Sequence, residues 1–159
     1  AAEKNFNIIL YDTDLKKIND LKKFKIDFYE PDVEKFIKKN KKKILFSNDP
    51  KSLKDCEIIY ISHDTPTNNS NVSNYNFIEN LISKTTKYLN KNSIMVIMCQ
   101  AYPCHSEKIK WKKEKLFYQV ETLIFGKAIQ RAINPEQIII GKSYNCKKKT
   151  IKTLENFIK

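Results

Sequence analysis

Apolar residues along this chain gather in short blocks, and after most blocks they recur at helical spacing. Asn7–Tyr11 is a largely apolar run of the kind expected for a strand covered on both faces. It ends at Asp12-Thr13-Asp14. Leu15, Ile18 and Leu21 then mark one face of a helix that Asp14 or Thr13 would cap. The stretch Lys25–Asp32 leads to a helix through Val33, Phe36 and Ile37; Pro31 suits its first turn and biases Glu30 toward an extended conformation. Lys43–Ser47 reads as a short strand, and Asp49-Pro50 opens a brief helical turn that ends near Cys56.

Glu57–Ser62 and Ser93–Met98 are two further buried strands. The first empties into His63-Asp64-Thr65-Pro66-Thr67 and a loop rich in Asn and Ser, before a helix through Phe77, Ile78, Leu81, Ile82 and Leu89. The second ends at Cys99-Gln100-Ala101-Tyr102-Pro103, and a basic helix is expected around Ser106 to Lys113. Phe117–Gly126 predicts a short strand running into a loop, with Glu121 where the strand gives out. Pro135–Gly141 predicts a last strand and Thr150–Lys159 a final helix. Strands alternating with helices in this way predict an α/β protein, Rossmann-like and doubly wound, with a mainly parallel sheet. No internal repeat or long linker divides the chain, so 1–159 is expected to be a single domain.

Composition narrows the function classes. The formal net charge is +12, but Arg131 is the only arginine, whereas readers of bases and phosphates favour arginine's planar fork. The run Lys38-Lys39-Asn40-Lys41-Lys42-Lys43 fits a solvated helix end better than a binding patch. A non-catalytic basic module binding nucleotides or nucleic acid is the alternative reading, and it predicts binding that weakens steeply with salt. A flavodoxin-type module lacks its phosphate-binding loop here. Cys56, Cys99, Cys104 and Cys146 show no paired spacing, which favours reduced thiols and a cytoplasmic location. Cys99, Cys104 and His105 lack a fourth ligand at a fitting spacing, so no metal site is expected. No apolar run is long enough to cross a bilayer, and no membrane partner is expected.

In an open parallel α/β sheet, ligands bind outside the carboxyl ends of the strands. That places Asp12, Glu121 and the His63–Thr67 loop where chemistry is expected. His63 beside Asp64 invites a catalytic pairing, but adjacent residues rarely aim at one point. A carboxylate at the end of the second strand of a dinucleotide fold accepts hydrogen bonds from ribose hydroxyls, and Asp12 is so placed. Such a fold also needs a glycine-rich turn after its first strand. This chain has only Gly126 and Gly141. Either it binds no dinucleotide, or that strand, its turn and most of the first helix precede Ala1, with Ala1-Ala2-Glu3-Lys4 as the helix's last turn.

In this order the motifs resemble the NAD-binding domain of the UDP-glucose/GDP-mannose dehydrogenase family. Ile8-Ile9-Leu10-Tyr11-Asp12-Thr13-Asp14 with Lys17-Ile18 resembles its second strand and ribose-binding acid, and Tyr29-Glu30-Pro31 its Glu-Pro signature. Thr65-Pro66-Thr67 resembles its Thr-Pro loop, Tyr118–Gly126 with Lys127-Ala128-Ile129 its substrate loop, and Pro135–Gly141 its closing strand. The resemblance implies NAD as cofactor, contacted by Asp12, Lys17 and Thr65. It implies a UDP- or GDP-linked sugar lying along Tyr118, Thr122, Leu123 and Phe125, and Glu121 working with a water in proton transfer. It further implies oxidation of the sugar's C6 alcohol to a carboxylate, and a C-terminal substrate domain beyond Lys159 that carries the nucleophilic cysteine. The full-length protein would be a homo-oligomer with no nucleic-acid partner, and the chain alone is expected to be inactive.

Departures are also visible. Ala101 stands where the family has a threonine, Phe125 where it has a second glutamate, Val120 where it has a proline, and Gln137 where an arginine is common. In this reading the missing first strand would lie between the Asp12 and Ile58 strands. The sheet is therefore expected to be interrupted there and the fragment poorly stable, with Asp12 and Glu121 at one rim facing a shared cleft.

Overall fold

The computed structural model describes residues 1–26 and 28–158. In chain order the main elements are β1 (Ile8–Tyr11), α1 (Leu15–Lys22), α2 (Val33–Asn40), β2 (Ile44–Ser47), β3 (Ile58–Ile61) and α3 (Tyr75–Thr86). They continue as β4 (Ile94–Ile97), α4 (His105–Lys108), β5 (Leu116–Gln119), α5 (Ala128–Ile133), β6 (Ile140–Lys142) and α6 (Lys148–Ile158). Asp27, within the Lys25–Asp32 stretch, and Lys159, the expected end of the last helix, lie outside the described residues. Among the described residues, no helix is long and apolar enough to cross a membrane. The residues form two compact units: Ala1–Leu53 with Thr122–Gln137, and Lys54–Glu121 with Ile138–Lys159.

In the first unit β1 and β2 pair in parallel, from Ile8 opposite Ile44 to Tyr11 opposite Ser47. Asp14 caps α1, its Oδ1 accepting from the main-chain N–H of Lys16 at 2.8 Å and of Lys17 at 3.3 Å. Ile18, on the inner face of that helix, is 1% exposed. The coverage of both faces expected for β1 is not found. Leu10 is 36% and Leu45 54% exposed, and the register puts them on opposite faces of the ladder. A strand with a single ladder partner has too few neighbours to seal both its faces. The predicted second helix begins at Val33, so Pro31 lies ahead of the helix; Asp32, at φ 64°, supplies the left-handed turn into it. The lysine run does form a helix end, where Asn40 Nδ2 donates to Phe36 O at 2.9 Å and to Glu3 Oε1 at 3.0 Å.

In the second unit the strand order is β3-β4-β5-β6, with β3, β4 and β5 parallel and β6 antiparallel to β5. Among the described residues, β1 and β3 belong to separate sheets and are not ladder partners. All four residues of β4 are buried, which is what a continuous Ile-Met-Val-Ile run in a central strand should give. Ile94, Val96, Phe117 and Leu154 form one core cluster, bordered by Ile58, Tyr60, Ile140, Cys146, Ile151 and Ile158. The alternate residues Ile59, Ile61, Met95, Ile97 and Leu116 point the other way and are buried too, and α3 buries Ile78, Leu81 and Ile82. Each such side chain withdrawn from water contributes about 1.5–3 kcal/mol. Leu89 is buried but lies beyond the end of α3.

Two predicted elements differ. The basic helix ends at Lys108, because Ile109 turns extended to bury its side chain and Trp111 Nε1 donates to Ser93 O at 3.2 Å. Lys113 Nζ satisfies carbonyls this leaves open, those of Ser106 at 3.0 Å, Glu107 at 2.6 Å and Ile109 at 3.2 Å. The last strand is shorter and later than Pro135–Gly141, beginning at Ile140 where β5 offers Gln119 as a partner.

Candidate functional site

In the first unit Asp12 follows β1 directly, and its N–H donates to Ser47 O at 3.3 Å. Asp12 Oδ1 accepts from the N–H of Asp14 at 2.9 Å, and Oδ2 lies 3.9 Å from Lys17 Nζ. The structure therefore brings Asp12 and Lys17 together. The ammonium is well exposed and the pair weak, so it orients the carboxylate more than it neutralises it. Thr122 is half-buried in the same unit, while Leu123, Ile124 and Phe125 are 41%, 50% and 90% exposed.

The second unit gathers the other predicted residues at the carboxyl ends of three parallel strands. Thr65, 8% exposed after β3, donates from Oγ1 to the main-chain carbonyl of Gln100, after β4, at 2.6 Å. The loop behind Thr65 is closed on itself: Asn74 N–H donates to Pro66 O at 2.7 Å, and Asn68 Oδ1 accepts from the N–H groups of Ser70 and Val72 at 2.9 Å. Tyr118, in β5, donates from its hydroxyl to Cys99 O at 3.3 Å. Burial pushes the Tyr118 phenol up, with the Cys99 thiol and the Glu121 carboxylate adding to the shift. Glu121 sits just past β5. Partial burial raises its carboxyl above the ordinary glutamate value, and the negative charge of Asp64 adds to the rise.

Two contributors went unread in the sequence. Asp64 was visible only as the neighbour of His63, whose ring instead packs 6.1 Å from that of Phe77. Its place after a buried strand, shared with Thr65, was the available signal. Glu30 was visible as part of a motif without a role; here it accepts from the N–H of Gly126 and of Ile129.

No glycine-rich turn of the kind that cradles a dinucleotide's phosphates occurs in these 159 residues. The fold and this rim define an α/β domain of the dinucleotide-binding kind. The chain belongs to the UDP-glucose/GDP-mannose dehydrogenase family, as its NAD binding domain: the sequence model of that domain matches residues 1–158. NAD is the cofactor of this domain. The chain is 28% identical to a UDP-glucose 6-dehydrogenase of Rickettsia felis, over 85% of this chain and 32% of that protein. It is 26% identical to an uncharacterized protein of Methanocaldococcus jannaschii, over 99% of this chain and 18% of that protein. The chain thus spans a third or less of these curated relatives. Its fold matches that of the GDP-mannose dehydrogenase of Pseudomonas aeruginosa with a TM-score of 0.85, at 17% identity, covering 98% of this chain and 39% of that one.

Proposed function

We propose that this chain is the NAD-binding part of a longer nucleotide-sugar 6-dehydrogenase, which oxidises the C6 alcohol of a UDP- or GDP-linked sugar to a carboxylate. Bound NAD would supply the hydride acceptor for each of the two oxidations, and one water would supply the second carboxylate oxygen. Asp12, with Lys17 beside it, would hold the adenosine ribose by accepting hydrogen bonds from its hydroxyls. Thr65 keeps the loop after β3 closed against the end of β4. Glu121 takes the proton from the water or the alcohol. A carboxyl raised by burial and by Asp64 exchanges protons nearer neutrality than an ordinary glutamate, which is what that role demands. Thr122, Leu123 and Phe125 lie along the sugar nucleotide.

The observation that carries this reading is the joining of three strand ends at one rim, by Thr65 to Gln100 and Tyr118 to Cys99, beside a carboxyl with a raised pKa. A longer protein containing this chain should form NADH, read at 340 nm, from UDP-glucose or GDP-mannose. Asp12→Ala in it should raise the KM for NAD at least about tenfold, the scale of a lost charge-assisted pair of hydrogen bonds. Glu121→Gln should lower kcat with little change in that KM. The isolated chain should form no NADH. Turnover by the isolated chain, or full activity of both variants, would overturn the proposal.

A further inference from the structure

The acceptor that fixes the loop carrying Thr122, Leu123 and Phe125 comes from far away in sequence. Gly126 N–H donates to Glu30 Oε2 at 2.7 Å and Ile129 N–H donates to Glu30 Oε1 at 3.3 Å, across separations of 96 and 99 residues. Gly126 sits at φ +79°, a conformation strained for any residue with a side chain. Two residues on, α5 starts without a local cap, since Lys127 makes no side-chain capping bond. The N–H of Ile129 is one of the groups a helix start leaves without an intrahelical partner, and Glu30 supplies its acceptor. Pro31 follows Glu30 and narrows its backbone to extended conformations, which limits where the carboxylate can reach.

Both carboxylate oxygens are thus used on main-chain N–H groups on either side of Lys127, and bonds to an ionised acceptor are the stronger kind. Ahead of this anchored foot, Leu123, Ile124 and Phe125 project 41%, 50% and 90% exposed. We propose that Glu30 is a positioning residue: its fork sets the conformation of residues 122–126, and thereby presents Thr122, Leu123 and Phe125 to the nucleotide sugar. The proposal rests on the substrate reading given above. Its local part, the hold on the loop, stands on the two hydrogen bonds alone.

The test follows main-chain hydrogen exchange by NMR in the 159-residue chain, with titrations of UDP-glucose, GDP-mannose and NAD into a longer protein that contains it. Glu30→Ala should speed exchange at Gly126 and Ile129 about tenfold or more, while amides of β1 and β2 keep their rates. Glu30→Gln, which retains a single neutral acceptor, should give a smaller change and guards against a folding defect in the alanine variant. The same variants should weaken UDP-glucose or GDP-mannose binding in the same order, with NAD binding held within about twofold of wild type. Unchanged exchange at Gly126 and Ile129 in both variants would overturn the proposal. So would faster exchange with sugar-nucleotide affinity unaltered. If a wild-type longer protein containing this chain bound neither sugar nucleotide while the two amides responded as expected, the substrate reading would fail and the hold of Glu30 on the loop would be supported.

Discussion

Removing the Thr65 hydroxyl cuts the tie between the loops that follow β3 and β4. Thr65 Oγ1 donates to Gln100 O at 2.6 Å from a side chain only 8% exposed, so water cannot readily replace it. In Thr65→Val the bond is lost and the carbonyl keeps no hydroxyl partner, which costs about 1–3 kcal/mol. The added methyl group returns about 0.8 kcal/mol if it is buried. A net loss of about 0.2–2.2 kcal/mol follows; with a urea slope of about 2 kcal/mol per molar, the midpoint should fall by about 0.1–1.1 M. Thermal unfolding should drop by up to about 9 °C for a chain of this size. Thr65→Ser keeps the donor and loses only a methyl, so it should be the milder variant. Urea titrations followed by the fluorescence of Trp111 would measure both. If Val matched wild type, or Ser were the worse of the two, the hydroxyl would not be what holds these loops together.

Other residues give predictions of the same kind. Glu121→Gln should stabilise the chain at pH 7: a carboxyl whose folded pKa is raised favours the protonated native state, and that advantage is lost as pH rises through the folded value. The gain over wild type should therefore vanish below the ordinary value of 4.5, as urea midpoints at both pH values would reveal. Tyr60, pushed up from 10.0 to about 12 by burial, predicts that wild-type stability declines between those values, and that Tyr60→Phe flattens the decline. His105 is 2% exposed, and among the described residues neither ring nitrogen has a hydrogen-bond partner, although Nε2 lies 3.5 Å from Glu79 Oε1. His105→Leu should accordingly gain about 1 kcal/mol, read as a higher urea midpoint; a loss would mean that the imidazole is held by more than packing.

The elements read most directly from sequence are those whose cause is local. Ile94–Ile97 is apolar at every position and becomes the buried central strand of its sheet, and Asp14 caps the helix it immediately precedes. The family motifs were legible for a related reason, since each is a short run of neighbours. What escaped depended on partners distant in the chain. The early end of α4 is set by Trp111 reaching Ser93 and by Lys113 folding back on three carbonyls, and no helical periodicity encodes either. The direction of β6 was equally hidden, because an apolar run carries no mark of parallel or antiparallel pairing. Glu30 shows the limit most clearly: its partners lie 96 and 99 residues away.

The same distinction bears on how the rim could work. Ala101 offers no hydroxyl with which the loop after β4 could tie itself from within. Instead the carbonyls of Cys99 and Gln100 act as acceptors for flanking residues, Tyr118 from β5 on one side and Thr65 from beyond β3 on the other. β4 is fully buried and these carbonyls continue it, so the ties rest on the least mobile part of the sheet. Preorganised surroundings matter for a proton-transfer carboxyl, because a loose site would let water or side-chain motion relax the repulsion between Asp64 and Glu121 that helps raise its pKa. On this argument Thr65→Val should also lower the Glu121 pKa toward its ordinary value, by loosening the surroundings that burial and Asp64 supply. A carboxyl-detected NMR titration in which the Glu121 pKa held steady in the valine variant would separate the loop tie from the chemistry.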